Sequence, residues 1–215
     1  MNFLYWIFRR RNIELKIALT TLAILVFLPA ISLVVVASSG LAIVGQALAA
    51  VNPVTHLVDI FDPNGHKVRE VTLSTVWPVD GYVSDEFGTF EKFRFEAGLG
   101  IHTGIDIANE RNQGGAPVTP FMDGKVILSH DTDDNTCGKY VKLDHGDGIT
   151  SLYCHMSATA GLAKDTVVKP GDVIGYVGTT GASTGNHLHF QIMIYGITIN
   201  PRIFMVGEPR STVFP

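Results

Sequence analysis

His187-Leu188-His189-Phe190-Gln191-Ile192-Met193-Ile194 is the stretch on which the fold turns. Side chains alternate faces along a strand. Leu188, Phe190, Ile192 and Ile194 therefore share one apolar face suited to a core, and His187 and His189 share the opposite face. Two imidazoles on one strand face reach a common ion or substrate. A pair of surface histidines on a half-exposed strand would read the same way, so this stretch alone establishes a strand and not a site.

Outward from it, Lys125–Leu128, Lys139–Leu143, Ile149–Tyr153 and Val173–Val177 are further short runs separated by glycine-rich turns. From Trp77 onward no stretch holds a 3.6-residue apolar period. Most of the 22 glycines fall in this half, which suits many tight reversals. The pattern predicts an all-β, compact antiparallel domain. Upstream, Leu57–Phe61 and Lys67–Leu73 flank Asp62-Pro63-Asn64-Gly65 and predict a small hairpin. A second hairpin is expected from Tyr140–Asp144 and Ile149–Tyr153, with His145 placed in its His145-Gly146-Asp147-Gly148 turn. With Val141 facing Leu152, Cys137 and Cys154 become diagonal neighbours, either bridged or two buried thiols.

The N-terminal quarter is different in kind. Mean hydropathy is +0.25, and no Asp, Glu, Lys or Arg occurs from Ile17 to Val58. The run Ile17–Ser39 is long enough to cross a bilayer, which takes about 20 apolar residues. Arg9, Arg10, Arg11 and Lys16 against Glu14 give residues 1–16 a charge of +3, so they are expected to stay cytoplasmic. The rest of the chain would then lie outside the cytoplasm, as a single-pass protein of the cell membrane. Two rivals are a cleaved signal peptide ending near Ala47-Leu48-Ala49 and a buried core helix. Gly40–Thr55 reads as a continuation of the helix or a stalk. The expected organisation is a basic tail at 1–16, an anchor at 17–39, a linker with a hairpin at 40–76, the β domain at 77–205 and a tail at 206–215. The whole chain is −4, which leaves −7 for residues 17–215. That acidity excludes nucleic acid as a partner, because phosphate binding needs clustered Lys and Arg.

A second histidine segment alters the reading of the first. In His102-Thr103-Gly104-Ile105-Asp106-Ile107, Gly104 and the β-branched neighbours disfavour helix, and in extended chain residues four apart share a face. His102, Asp106 and one histidine of the 187/189 pair make a His₂Asp set with an open position, the arrangement of catalytic rather than structural zinc. Zinc lowers the pKa of bound water to about 7. The third segment, Tyr153-Cys154-His155-Met156-Ser157, is expected at a strand end.

Together, His102–Asp106, Tyr153–His155 and His187–His189 resemble the lysostaphin-type, LytM-like zinc endopeptidases in motif order and separation. Asp85-Glu86-Phe87-Gly88, Val141–Gly146, Lys169–Gly175 and Gly178–Gly185 add to the likeness, which spans about Trp77 to Phe204. Asn186 departs from it, standing where many relatives have proline. The resemblance implies a duplicated hybrid motif fold and one zinc held by His102, Asp106 and His189. It implies His155 and His187 as catalytic, non-ligand histidines, with the proton acceptor between them left open. It implies the stem peptides or cross-bridges of peptidoglycan as substrate. His130, His56 and His66 receive no role and are expected in solvated loops. A non-catalytic wall-binding or activating module on the same fold is the alternative, and a secreted lysin a third reading. An anchored enzyme suggests local wall remodelling or a place in an envelope-spanning complex.

Overall fold

The computed structural model describes residues 47–209, apart from 75, 91–93, 95, 97, 99 and 110. The apolar run 17–39 lies outside the described residues, as do the tails at 1–16 and 210–215. Among the described residues no helix is long and apolar enough to cross a membrane.

Among the described residues thirteen strands follow in chain order. The first three, β1 (Ala49–Val51), β2 (Val58–Phe61) and β3 (Lys67–Val71), make a small antiparallel sheet in the order β1-β2-β3. Residues 49–51, read from the sequence as helix or stalk, are thus a strand. Their alternation is too short to register as a pattern, and pairing with β2 supplies the missing partner. At the β2–β3 turn Asp62 Oδ1 accepts hydrogen bonds from the backbone N–H groups of Asn64 and His66.

Next come β4 (Tyr82–Asp85), β5 (Ile105–Ala108), β6 (Pro117–Val118), β7 (Gly124–His130) and β8 (Lys139–Gly146). They are followed by β9 (Ile149–Thr159), β10 (Val167–Val168), β11 (Gly175–Val177), β12 (Leu188–Ile194) and β13 (Ile197–Ile199). These ten form one sheet ordered β10-β7-β8-β9-β12-β5-β4, with β13 on β12 and β11 pairing β6 and β9; every strand pair is antiparallel. The all-β expectation holds. Ser74 forms a parallel bridge with Met205, and Trp77 Nε1 donates to Val206 O, so the two ends of the domain meet.

β12 is central, and all seven of its residues are buried. Its apolar face joins Phe121, Tyr153 and Phe204 in the core; Phe190 stacks on Tyr153 at 5.3 Å and lies 5.5 Å from Phe121. The histidine face is buried as well.

The β8–β9 hairpin turns on Asp147 and Gly148, both at positive φ (49° and 78°), as a two-residue loop compatible with strand twist requires. Its register differs by one residue from the sequence reading: Val141 pairs with Tyr153 and Lys142 with Leu152. Two further differences have physical causes. β9 does not stop near Tyr153 but runs to Thr159, passing through a bulge in which Cys154 and His155 oppose Tyr140. His145 is not a solvated turn residue but is 7% exposed, with Nδ1–H donating to Asp123 O (2.8 Å) and Nε2 accepting from Ser151 Oγ (2.7 Å). β8 extends through it to Gly146 and carries it inward.

Burial holds the His145 imidazole down to about 4 from its ordinary 6.5. Between those values the unfolded chain binds more protons than the folded one, so this contribution is complete above about 6.5 and lost toward 4. The loss amounts to roughly 3 kcal/mol. Urea midpoints at pH 7.5 and 4.5 are expected to differ less in His145→Gln than in the wild type; equal differences would refute the assignment.

Candidate metal centre

His102 lies three residues before β5 begins, Asp106 lies within it, and His189 sits opposite Asp106 on β12. All three side chains are buried. Their facing atoms form a triangle: His102 Nε2 to Asp106 Oδ1 is 3.0 Å, His102 Nε2 to His189 Nδ1 is 3.0 Å, and His189 Nδ1 to Asp106 Oδ1 is 2.8 Å. Among the described residues no further His, Cys, Asp or Glu joins this cluster of candidate ligands. A tetrahedral zinc with bonds of about 2.0–2.1 Å needs donors about 3.3 Å apart, so the triangle has to open by only a few tenths of an ångström. The donor chemistry fits too. Burial would raise the Asp106 carboxyl, but its contacts with His102 and His189 outweigh burial and keep the group in the ionised form that ligates metal. Burial lowers His189, favouring the neutral imidazole that ligates metal.

Outer contacts aim each donor inward. His102 Nδ1–H donates to Glu86 O at 2.9 Å, with the Asp85 Oδ2 charge equally near, which leaves Nε2 to face the other two donors. Arg94 Nη2 donates to Asp106 Oδ2 at 2.9 Å, so Oδ1 is the oxygen turned to the imidazoles. Asp85 falls in a segment quoted above only for its likeness; Arg94 belongs to no motif and carries no sequence signal. Gly104 is where it is because a Cβ there would strike Phe190 O and come within 2.9 Å of the His189 ring.

The other two histidines of the sequence reading reach the same place. His155 and His187 have ring centroids 4.8 Å apart, and His155 stands 5.9 Å from His189. His155 Nδ1–H donates to Thr180 O (2.8 Å) and His187 Nδ1–H to Gly185 O (2.9 Å), so both offer Nε2 to the centre. His187 Nε2 is buried without a hydrogen-bond partner, 3.5 Å from Asp106 Oδ2. Burial lowers His155 to about 3, with the charges of His187 and His189 adding to the effect. The His155 backbone is left-handed, at φ 63°, a conformation that costs on the order of 1 kcal/mol outside glycine. Asn186, at the position of the departure noted above, bonds twice to Asn112 and anchors the approach to β12.

Cys137 and Cys154 form a disulfide with Cα atoms 5.0 Å apart, settling the alternative left open by the sequence. The bridge, Ile101, Leu152 and Gln191 line a cavity of about 160 Å³ that opens beside His155 and His189.

Residues 100–201 match the family model described as Peptidase family M23. DD-carboxypeptidase/endopeptidase Mpg of Neisseria meningitidis serogroup B is 37% identical over 112 residues, 52% of this chain and 24% of that protein. The chain therefore spans about a quarter of that curated relative's length. A chain of the SpoIIQ-SpoIIIAH pore forming complex superposes with a TM-score of 0.52 at 26% identity, covering 62% of this chain and 91% of that one. A zinc containing peptidase from Vibrio cholerae gives a TM-score of 0.53 at 24% identity over 71% of this chain and 47% of its own, a likeness of fold.

Metal analysis of the purified chain is expected to find about one zinc per molecule. Gly104→Ala should lower zinc affinity by pushing the His189 ring aside, with the far-UV circular dichroism unchanged. Undiminished binding in that variant, or none in the wild type, contradicts the ligand set.

Proposed function

We propose that this chain, a member of peptidase family M23, is a zinc-dependent endopeptidase that hydrolyses peptide bonds of bacterial peptidoglycan. The observation that carries the reading is the convergence of five side chains from three separated segments. His102, Asp106 and His189 supply a three-donor set, and His155 and His187 bring unshared Nε2 atoms to the same space.

His102 Nε2, Asp106 Oδ1 and His189 Nδ1 would hold the ion. Zinc bound there supplies Lewis acidity and a water acidic enough to attack near neutral pH. His155 is fixed by Thr180 O in the tautomer that leaves Nε2 as its proton-accepting nitrogen. His187, held through Nδ1 by Gly185 O, turns its Nε2 into the same space, 3.5 Å from Asp106 Oδ2, and is the second non-ligand histidine placed beside the reacting bond. Arg94 and Asp85 orient ligands and touch no reacting atom. The apolar part of the neighbouring cavity, formed by Ile101, Leu152 and the disulfide, suits a small side chain of an extended peptide.

The finer parts of the reading rest on the sequence. They are the duplicated hybrid motif fold, the anchor at 17–39, a catalytic domain at 77–205 and placement outside the cytoplasm. A disulfide beside the site supports an oxidising compartment. The likeness to a chain of the SpoIIQ-SpoIIIAH complex favours a second reading, a module that assembles with a partner in the envelope. The complete set of five side chains favours hydrolysis over binding alone.

Two measurements test this. His155→Ala is expected to keep its zinc and lose at least about a hundredfold in hydrolysis of purified peptidoglycan, read as new peptide termini by mass spectrometry. Loss of zinc along with activity would mean that the roles are misassigned. In intact cells, protease added from outside or to the periplasm should cleave the domain; full protection refutes the orientation.

A further inference from the structure

The Cys137–Cys154 bridge lies where the catalytic reading needs rigidity. Cys154 immediately precedes His155, and Cys137 ends the loop 131–138 that leads into β8. His155 is held at two atoms, by its backbone N–H to Cys137 O (2.9 Å) and by Nδ1–H to Thr180 O (2.8 Å). Those two anchors belong to different loops that are fastened to each other. Ala182 N donates to Thr136 O (2.9 Å), Gly181 N to Asp133 Oδ1 (2.8 Å) and Lys139 N to Thr180 Oγ1 (3.0 Å). Thr180 Oγ1 in turn donates to Met156 O (2.7 Å). Gly138, at φ 65°, packs so closely on Thr180 that no side chain fits.

All of these links except one are hydrogen bonds of partly exposed loops, worth about 1 kcal/mol each. The exception is covalent. It closes the ring around a histidine whose backbone is left-handed and which, unlike glycine, does not rest there unassisted. The zinc donors lie on other segments, the one entering β5, β5 itself and β12, and His189, though paired with Cys154 on one side, is held on the other by its pairing with Asp106 of β5. Placement of His155 and binding of metal are therefore separable.

We propose that the Cys137–Cys154 disulfide is a positioning element for His155, so that hydrolysis, but not zinc binding, depends on the oxidised pair. The inference rests on the catalytic role proposed for His155. Reduction by an external dithiol transfers two electrons and two protons to the bridge. It leaves two thiols here and a new disulfide in the reductant. Loop 131–138 then loses its covalent tie and His155 its fixed backbone and tautomer. A chain made in a reducing cytoplasm would accordingly carry metal but hydrolyse poorly, and would gain activity on reaching an oxidising compartment.

The test uses the full chain in detergent, with a soluble cross-linked muropeptide as substrate. The wild type is compared before and after tris(2-carboxyethyl)phosphine, which takes up the bridge's oxidising equivalents as phosphine oxide with oxygen from water and avoids zinc-binding dithiols. The Cys137→Ser/Cys154→Ser variant runs in parallel; reduction of folded wild type answers the question should that variant not fold. Measurements are made well below the thermal midpoint. The expected result is a fall in kcat of about tenfold or more, with KM and zinc content unchanged and recovery on reoxidation. Imidazole ¹⁵N spectra should show His155 as a single Nδ1–H tautomer when oxidised and as an exchanging mixture when reduced. An unchanged kcat with a lowered midpoint makes the bridge a mere staple and overturns the inference, as does loss of zinc on reduction. Oxidised, zinc-loaded chain that hydrolyses nothing sinks the proposed function instead, and the tautomer signal then decides the role of the bridge by itself.

Discussion

The register of β12 is the constraint from which everything at the site follows. One residue, His189, pairs with Asp106 on β5 to one side and with Cys154 on β9 to the other. That double pairing sets a carboxylate and an imidazole side by side and brings the β9 bulge, with His155 in it, across from both. A slip of one residue would turn His189 into the core and Leu188 toward the site. Leu188, Phe190, Ile192 and Ile194, each wholly buried, make such a slip expensive. The packing of the apolar face thus fixes the chemistry of the polar one.

Polar side chains crowd that second face with little solvent to moderate them. Asp106 alone has His102, His187, His189 and Arg94 around it. Such a cluster is stable only when each lone pair and proton has a partner. Backbone carbonyls of Glu86, Thr180 and Gly185 take the outward N–H of three imidazoles. Their inward nitrogens face the centre for that reason, and that of His102, with Asp106 and His189, is the one placed to hold a cation.

Much of this was legible in the residues. Alternation identified β12, glycine spacing identified an all-β domain, and the His-x-x-x-Asp and His-x-His segments named the side chains that meet. What was not legible depends on contacts between segments distant in the chain. His145 sits in a glycine-containing turn motif, yet it is buried because Asp123 and Ser151 satisfy both of its nitrogens. Arg94 has no neighbours in sequence that mark it, and only the folded position of Asp106 gives it meaning. The hairpin register was misjudged by one residue because the turn uses two residues rather than four, and a bulge between Asp144 and Gly146 takes one of the two back. The disulfide depended on a bulge that no local pattern announces.

The parallel bridge between Ser74 and Met205 has a consequence for how such a domain is used. Strand entry and exit leave from one spot, tied together by Trp77 and Val206. Additional polypeptide attached at either boundary would leave from that shared stem without prying strands apart. The unit is therefore portable, able to be carried by longer architectures with its interior unaltered.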